Sequence, residues 1–427
     1  MAVARCNGPP VAWIRAGRCV GNGWAGPPRP DCVMCRSCRP EPRCKAAHNP
    51  EISMNGLLRT VATALAGVGL LGSAVGAPTQ ACTSFTLKGN DGGHVYGRTM
   101  EFGQPLNSEA VLIQRGTPLR GNGPNGGIGN GLAWTSRYAV VGMNALGLKD
   151  VVPDGMNEKG LAGGLLYFAG YADFQTVPAG QTKRSINSAQ LLTYVLTNFA
   201  TIEEVKQGLP KILVNGAAVK AFGGPLPIHM TLHDSSGKSL SVEYIQGELS
   251  MMDNPTGTYT NDPPFPYHLA TAGNYANLSA MPPAELTING LKLPPTSTGG
   301  GLHGLPGDFL STSRFIRALL LSHFAPTNLS TRQQVGTAFR LLGQFDLPPG
   351  SILLPPGGSF GGAGSKTTYE ITEWTVAADQ KNLVYYIQTY DNPGLRSLNF
   401  DQLPLDGGTI KVMPLNQPLD VTVLTPS

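Results

Sequence analysis

Cys82 is the residue whose placement most invites chemistry. Six cysteines lie within the first 44 residues, and none follows Cys82 in the 427-residue chain. A lone thiol in an exported body is either buried and inert or reactive. If processing makes Cys82 the first residue, its own α-amine sits beside its thiol. That amine, with an ordinary pKa of about 7.7–8.0, can take the thiol proton as general base. Such a pair needs no histidine or aspartate. The plain alternative is a small buried residue on a first strand, a role that suits a thiol. The stretch "VYGRTMEFG" adds Arg98 and Glu101, sixteen and nineteen positions after the cysteine. A guanidinium near the sulfur would favour thiolate, and a carboxylate would hold the ammonium or orient the amine. By spacing alone, Arg-x-x-Glu is more often a surface ion pair.

The segment before Cys82 explains why a chain would begin there. Met54–Ala81, "MNGLLRTVATALAGVGLLGSAVGAPTQA", has Arg59 in a short n-region and an apolar run from Val61 to Val75. Small residues follow, with Val75 and Ala77 at the −3 and −1 places of a cleavage site. This is a signal-peptide pattern, and the run is short and glycine-rich for a membrane span. A lipoprotein reading of Cys82 is weak, because "TQAC" lacks the usual small and aliphatic residues. Residues 1–53 read as an upstream extension, with translation starting at Met54. A thiolate cluster is the alternative there: Cys32, Cys35, Cys38 and Cys44 approach iron–sulfur spacing, but the last gap is too long.

The elements that must position these residues are mostly strands. Glycine (55) and proline (36) are abundant, and only 14% of residues are charged. That composition suits a turn-rich, strand-rich body. From Cys82 onward, 22 Lys/Arg meet 24 Asp/Glu, so nothing points to a nucleic-acid or membrane-surface partner. Period-two patterns predict strands at Cys82–Leu87, His94–Phe102, Ala110–Gln114, Tyr138–Met143 and Leu161–Phe168. Hairpins are expected around "DSSGKS" and "ADQK". Helical patterns cover Ser185–Phe199, Ile202–Gly208, Arg314–His323 and Thr331–Leu342, with Thr201 and Glu204 at capping-box spacing. Gly299–Gly307 and Pro348–Gly364 read as loops. Hairpins with a few segregated helices argue for antiparallel sheets carrying helices on their outer faces. No linker interrupts residues 82–427, which read as one domain.

Here the residues carry a resemblance. The opening "CTSFTLKGNDGGHVYGRTMEFG" resembles the start of the choloylglycine hydrolase and penicillin V acylase family, the N-terminal-nucleophile hydrolases of linear amides. "GMNEKGLAGGLLYFAGY", "YTNDPPF", "GLPGDFLSTSRFIRA" and "QTYDNPGLRS" are similar to later family segments, in family order. The resemblance implies an α+β fold: a four-layer αββα sandwich of two antiparallel sheets between helices. It implies that Cys82 is nucleophile and, through its amine, base, and that Arg98 stabilises the thiolate. Glu101 stands where the family usually has aspartate, which keeps the charge but adds a methylene. The Asn261 side-chain amide and the Tyr167 backbone N–H would hold the oxyanion, each worth about 10²–10³ in rate. Arg314 would hold the site's charge network. Tyr167 stands where bile salt hydrolases tend to have asparagine and penicillin V acylases tyrosine. No metal or organic cofactor is implied, and the partner is a small acyl amide. Family members are often tetramers.

The expected protein is a periplasmic or secreted amidohydrolase that frees Cys82 by its own processing. Candidate substrates are phenoxyacetyl penicillin, N-acyl homoserine lactones and other aryl- or fatty-acyl amides, with conjugated bile salts as runner-up. A non-catalytic exported binding protein of the same fold is the alternative from another class, and the Glu101 departure is its support. Three further signals read as structural. Gly121–Gly126 fits G-x-G-x-x-G but opens no helix. His229 and His233 lie four apart on a predicted strand, where packing is a better account than metal. Trp134 and Trp374 could line an acyl pocket, but core packing is the default.

Overall fold

The computed structural model describes residues 81–354, 367–419, 421 and 423. The upstream extension and all of the leader except Ala81 lie outside the described residues. In chain order, the strands of the two large sheets begin with β1 (Thr83–Lys88), β2 (His94–Phe102), β3 (Ala110–Ile113), β4 (Val140–Met143) and β5 (Asp154–Asn157). They continue with β6 (Ala162–Tyr167), β7 (Ile228–His233), β8 (Ser239–Ile245) and β9 (Glu248–Asp253). The last are β10 (Ile371–Asp379), β11 (Val384–Thr389), β12 (Asn392–Asn399) and β13 (Ile410–Met413). The first sheet runs β1-β2-β10-β11-β12, and the second runs β9-β8-β7-β6-β5-β4-β3-β13. Every neighbouring pair in both is antiparallel.

Strand alternation sorts the side chains of the first sheet between two faces. Tyr96, Met100 and Phe102 of β2 join Trp374, Val376 and Ala378 of β10 in the core shared with the second sheet. Phe85, Leu87, Val95 and Ala377 point the other way. There they pack on Ala318 of helix α1 (Ser311–His323) and on Val335, Ala338 and Leu342 of helix α2 (Thr331–Leu342). Gly97 keeps that contact close, since a Cβ there would lie 3.1 Å from Leu342 Cδ1. On the far side, Leu191–Asn198 forms a helix over the second sheet, tied by Asn157 Nδ2 donating to Leu196 O at 2.9 Å. Helix, sheet, sheet and helix make an αββα sandwich.

Most predicted elements stand within a residue or two of their expected ends. The helix expected over Ser185–Phe199 differs. Ser185–Asn187 is a strand paired in parallel with Leu213–Asn215, and the α-helix begins only at Leu191. Asn187 ends the strand: its side chain accepts from Ala189 N and starts a 3-10 turn. Thr201 does cap its helix, but Glu204 accepts from Ala200 N rather than from the capping residue. The reciprocal capping box lies instead at Ser330 and Gln333.

Candidate active site

Cys82 precedes β1 and is buried on the face that meets the second sheet. The β1–β2 register pairs Ser84 with Arg98, which brings Arg98 back beside the start of the chain body. Arg98 Nη2 lies 3.6 Å from Cys82 Sγ, and Met100 Sδ is 4.0 Å from the same sulfur. The guanidinium reaches across to the second sheet, to the start of β5 and the end of β6. It donates to Pro153 O at 2.6 Å and to Leu165 O at 2.5 Å. Trp374 covers it, with the ring centroid 5.4 Å from Cζ.

Asn261 approaches Cys82 from another loop. Its Oδ1 accepts from Cys82 N at 2.7 Å and from Arg314 Nη2 at 2.8 Å. These two donors fix which end of the amide is oxygen. Its Nδ2 donates to Tyr167 O at 2.9 Å, leaving the second hydrogen of that nitrogen for another acceptor. Ladder alternation directs the Tyr167 N–H to the edge of β6 where Leu165 N meets Pro153 O, beside the Arg98 guanidinium. Arg314, from α1, donates to the Cys82 carbonyl, to Thr83 Oγ1 at 2.9 Å and to Phe309 O at 2.9 Å. Five of the six expected residues therefore gather at the start of β1.

Glu101 is the exception. Three residues along a strand from Arg98, it faces the opposite side of the sheet, toward α1. Its Oε1 accepts from Thr372 Oγ1, the cross-strand partner on β10, at 3.0 Å. Its Oε2 closes no hydrogen bond. Burial pushes the carboxyl up to about 8 against the pull of Arg314, with Glu370 adding to the rise. Burial likewise pushes Glu370 up to about 8. In the folded protein both carboxyls keep a proton that the unfolded chain releases near the ordinary glutamate value of 4.5. Their contribution to stability is therefore largest at low pH and is lost as pH rises through that window. Glu101→Gln should gain on wild type between pH 5 and 8, by up to about 1.4 kcal/mol per pH unit. Urea midpoints at three pH values measure this; a difference that shrinks with pH would contradict it.

Two parts of the site were not singled out in the sequence. Asp154, at the start of β5, is buried and lies 3.3 Å from Arg98 Nη1. It accepts from Tyr96 OH at 2.7 Å and Tyr385 OH at 2.6 Å. Burial raises its carboxyl to about 6, while Arg98 and the two tyrosines oppose that rise. An acid inside the apolar run "VVPDGM" was the available signal. The second part is a histidine brace behind Asn261. His268 Nε2 meets the Asn261 carbonyl at 2.9 Å and His229 Nε2 meets the Thr260 carbonyl at 2.9 Å. Tyr259 OH joins His229 Nδ1 and Glu243, each at 2.9 Å.

The signals read as structural also find places. His233 bonds to Ser239 Oγ and Thr231 Oγ1, so each histidine of the pair has its own core partners. Pro124–Gly126 is a single 3-10 turn within the glycine-rich loop. Trp134 Nε1 donates to Thr197 Oγ1 and Trp374 Nε1 to Ser108 Oγ. Neither ring lines the cavity at Cys82. That cavity, about 50 Å³, is bounded by Cys82, Met100, Phe102, Leu165, Tyr167 and Phe222, with further aliphatic side chains.

The description "Linear amide C-N hydrolases, choloylglycine hydrolase family" matches residues 82–413. The bile salt hydrolase/transferase of Clostridium perfringens is 29% identical over 346 residues, 80% of this chain and 98% of that protein. The penicillin V acylase of Pectobacterium atrosepticum is 26% identical over 388 residues, 84% of this chain and 92% of that protein. A crystal structure of the Clostridium perfringens conjugated bile acid hydrolase superposes with a TM-score of 0.68 at 28% identity, covering 81% of this chain and 100% of that one.

Proposed function

Since the chain belongs to the choloylglycine hydrolase family, and is thereby a hydrolase of linear amide C–N bonds, we propose that it is an exported N-terminal-cysteine enzyme for amides of apolar acyl groups. The observation that carries this reading is the setting of Cys82. Its sulfur opens on an apolar cavity and lies against Arg98, while its nitrogen is held by Asn261.

In this reading, removal of the leader leaves the Cys82 amine beside its own thiol. The amine takes the thiol proton, with Arg98 as counter-charge for the sulfur, and the thiolate attacks the amide carbonyl. The remaining Nδ2 hydrogen of Asn261 and the Tyr167 N–H receive the oxyanion. The amine then protonates the leaving nitrogen, and water clears the thioester. Arg314 keeps Asn261 and the Cys82 carbonyl in register through its bonds to both.

The cavity lining favours aryl and alkyl acyl groups. A polyhydroxylated steroid acyl would leave its hydroxyls against hydrocarbon. Phenoxyacetyl penicillin and N-acyl homoserine lactones fit the description better. Conjugated bile salts are the second reading, favoured by the names of the curated relatives. Initial rates on penicillin V and taurocholate, with protein whose N-terminus has been sequenced, decide between them. Penicillin V is expected to be the faster; a clear preference for taurocholate overturns the order. A chain that retains "PTQA" and still turns over overturns the amine-base mechanism.

A further inference from the structure

Asn261 stands in a loop, yet the proposed chemistry needs its amide in one place, because a group about 1 Å out of position costs about 100-fold in rate. Past the bridge that pairs Tyr259 with Ser84, the backbone leaves the sheet ladder. The buried Thr260 and Asn261 carbonyls must then find donors elsewhere. Two buried histidines supply them. His229 Nε2 donates to Thr260 O, and His268 Nε2, from the helix Phe265–Ala272, donates to Asn261 O, each at 2.9 Å. A carbonyl only accepts, so each Nε2 carries its proton.

His229 does more than satisfy a carbonyl. It stands on β7, the neighbour of β6, and the register sets Ile228 opposite Tyr167 and His229 opposite Leu166. Its ring stacks on Phe168, the residue after Tyr167, with centroids 4.3 Å apart and planes at 14°. At the other nitrogen, Tyr259 OH meets Nδ1 at 2.9 Å. That hydroxyl donates to Glu243 Oε1 at 2.9 Å and lies 2.8 Å from Ser241 Oγ, both on β8. Glu243 Oε1 also accepts from Phe265 N, at the start of the helix that carries His268. The imidazole is thus fixed at both nitrogens and on one face, and it joins the Thr260–Asn261 backbone to the strand pair that carries Tyr167. We propose that His229 is a positioning residue for the oxyanion site: it sets the distance between the Asn261 amide and the Tyr167 N–H, the two donors that must converge on one oxygen. The proposal rests on the reading of those two groups as oxyanion donors. His229 does not line the cavity at Cys82, so it acts on the donors without touching the acyl group.

The test sets steady-state kinetics, on whichever of penicillin V and taurocholate wild type hydrolyses faster, beside the rate at which iodoacetamide alkylates Cys82, followed by peptide mass. Alkylation is a displacement that forms no oxyanion, so it reads the thiol without the donors. His229→Leu should lower kcat by about 100-fold, with KM and the alkylation rate within about threefold of wild type. His229→Gln, whose amide can still donate to the Thr260 carbonyl, should recover at least about tenfold of that loss. Tyr259→Phe removes one oxygen and leaves the imidazole in place; it should lower kcat by about tenfold with KM unchanged, and it carries the test if His229→Leu does not fold. A kcat loss below about threefold in the variants that fold overturns the proposal. So does a loss shared equally by kcat and alkylation, or a His229→Gln no faster than His229→Leu, either of which would make His229 a structural prop. Asn261→Ala separates this proposal from the reading beneath it. If Asn261→Ala keeps the wild-type rate, the oxyanion reading and this proposal fall together. If Asn261→Ala loses turnover and His229→Leu does not, only this proposal falls.

Discussion

Cys82→Ser should abolish turnover, by at least about 10³-fold in kcat. The substitution changes one atom in a buried site. An alcohol holds its proton far more tightly than a thiol does, so an amine tuned to a thiol generates far less of the alkoxide nucleophile. The surroundings are also built for sulfur, with Met100 Sδ 4.0 Å away and Arg98 Nη2 at 3.6 Å. The fold has little reason to respond. The hydroxyl is smaller and can still donate, and no described element takes its position from Cys82 Sγ. The measurement is kcat on the substrate wild type prefers, with the thermal midpoint and the N-terminal mass recorded on the same preparation. Those two controls separate lost chemistry from a lost fold or a retained leader. Turnover near the wild-type rate, on protein of verified mass, would place the nucleophile elsewhere.

The parts of this site legible in the sequence are those that lie close together along the chain or belong to quoted segments. Cys82 and Arg98 flank one hairpin, and their approach follows from strand pairing alone. Asn261 and Arg314 are remote in sequence and could be placed only through the family resemblance. Glu101 shows a rule available from the start. Residues three apart on a strand face opposite sides, so Arg98 and Glu101 could not share a face of β2. Asp154 was marked in the sequence only by its place inside an apolar run, because its partner is a guanidinium from the facing sheet. That relation leaves no spacing to read. The strands were legible because one face of each is buried and alternation survives. The helix expected over Ser185–Phe199 starts too early because the strand before it, Ser185–Asn187, is too short to show alternation, and Asn187 decides where one ends and the other starts.

Asp154→Ala should cost about 3–5 kcal/mol of stability, the range for removing one partner of a buried ion pair. Arg98 and Asp154 are both fully buried, at 0% side-chain exposure, in the core between the two sheets. Removing the carboxylate leaves the guanidinium there without its neutralising charge. Tyr96 and Tyr385 lose their acceptor in the same step. Pro153 and Leu165 still accept from Arg98, but two carbonyl dipoles do not replace a charge. Activity should fall as well, since Asp154 helps keep Arg98 beside the sulfur. Urea unfolding of the single variants and of Asp154→Ala with Arg98→Met distinguishes the causes. If the unpaired cation carries the cost, the double variant should be more stable than Asp154→Ala alone, because the stranded charge is gone. A loss below about 1 kcal/mol for Asp154→Ala would mean that water or a rotated guanidinium reaches the site, and that the sheets do not seal Arg98 from solvent.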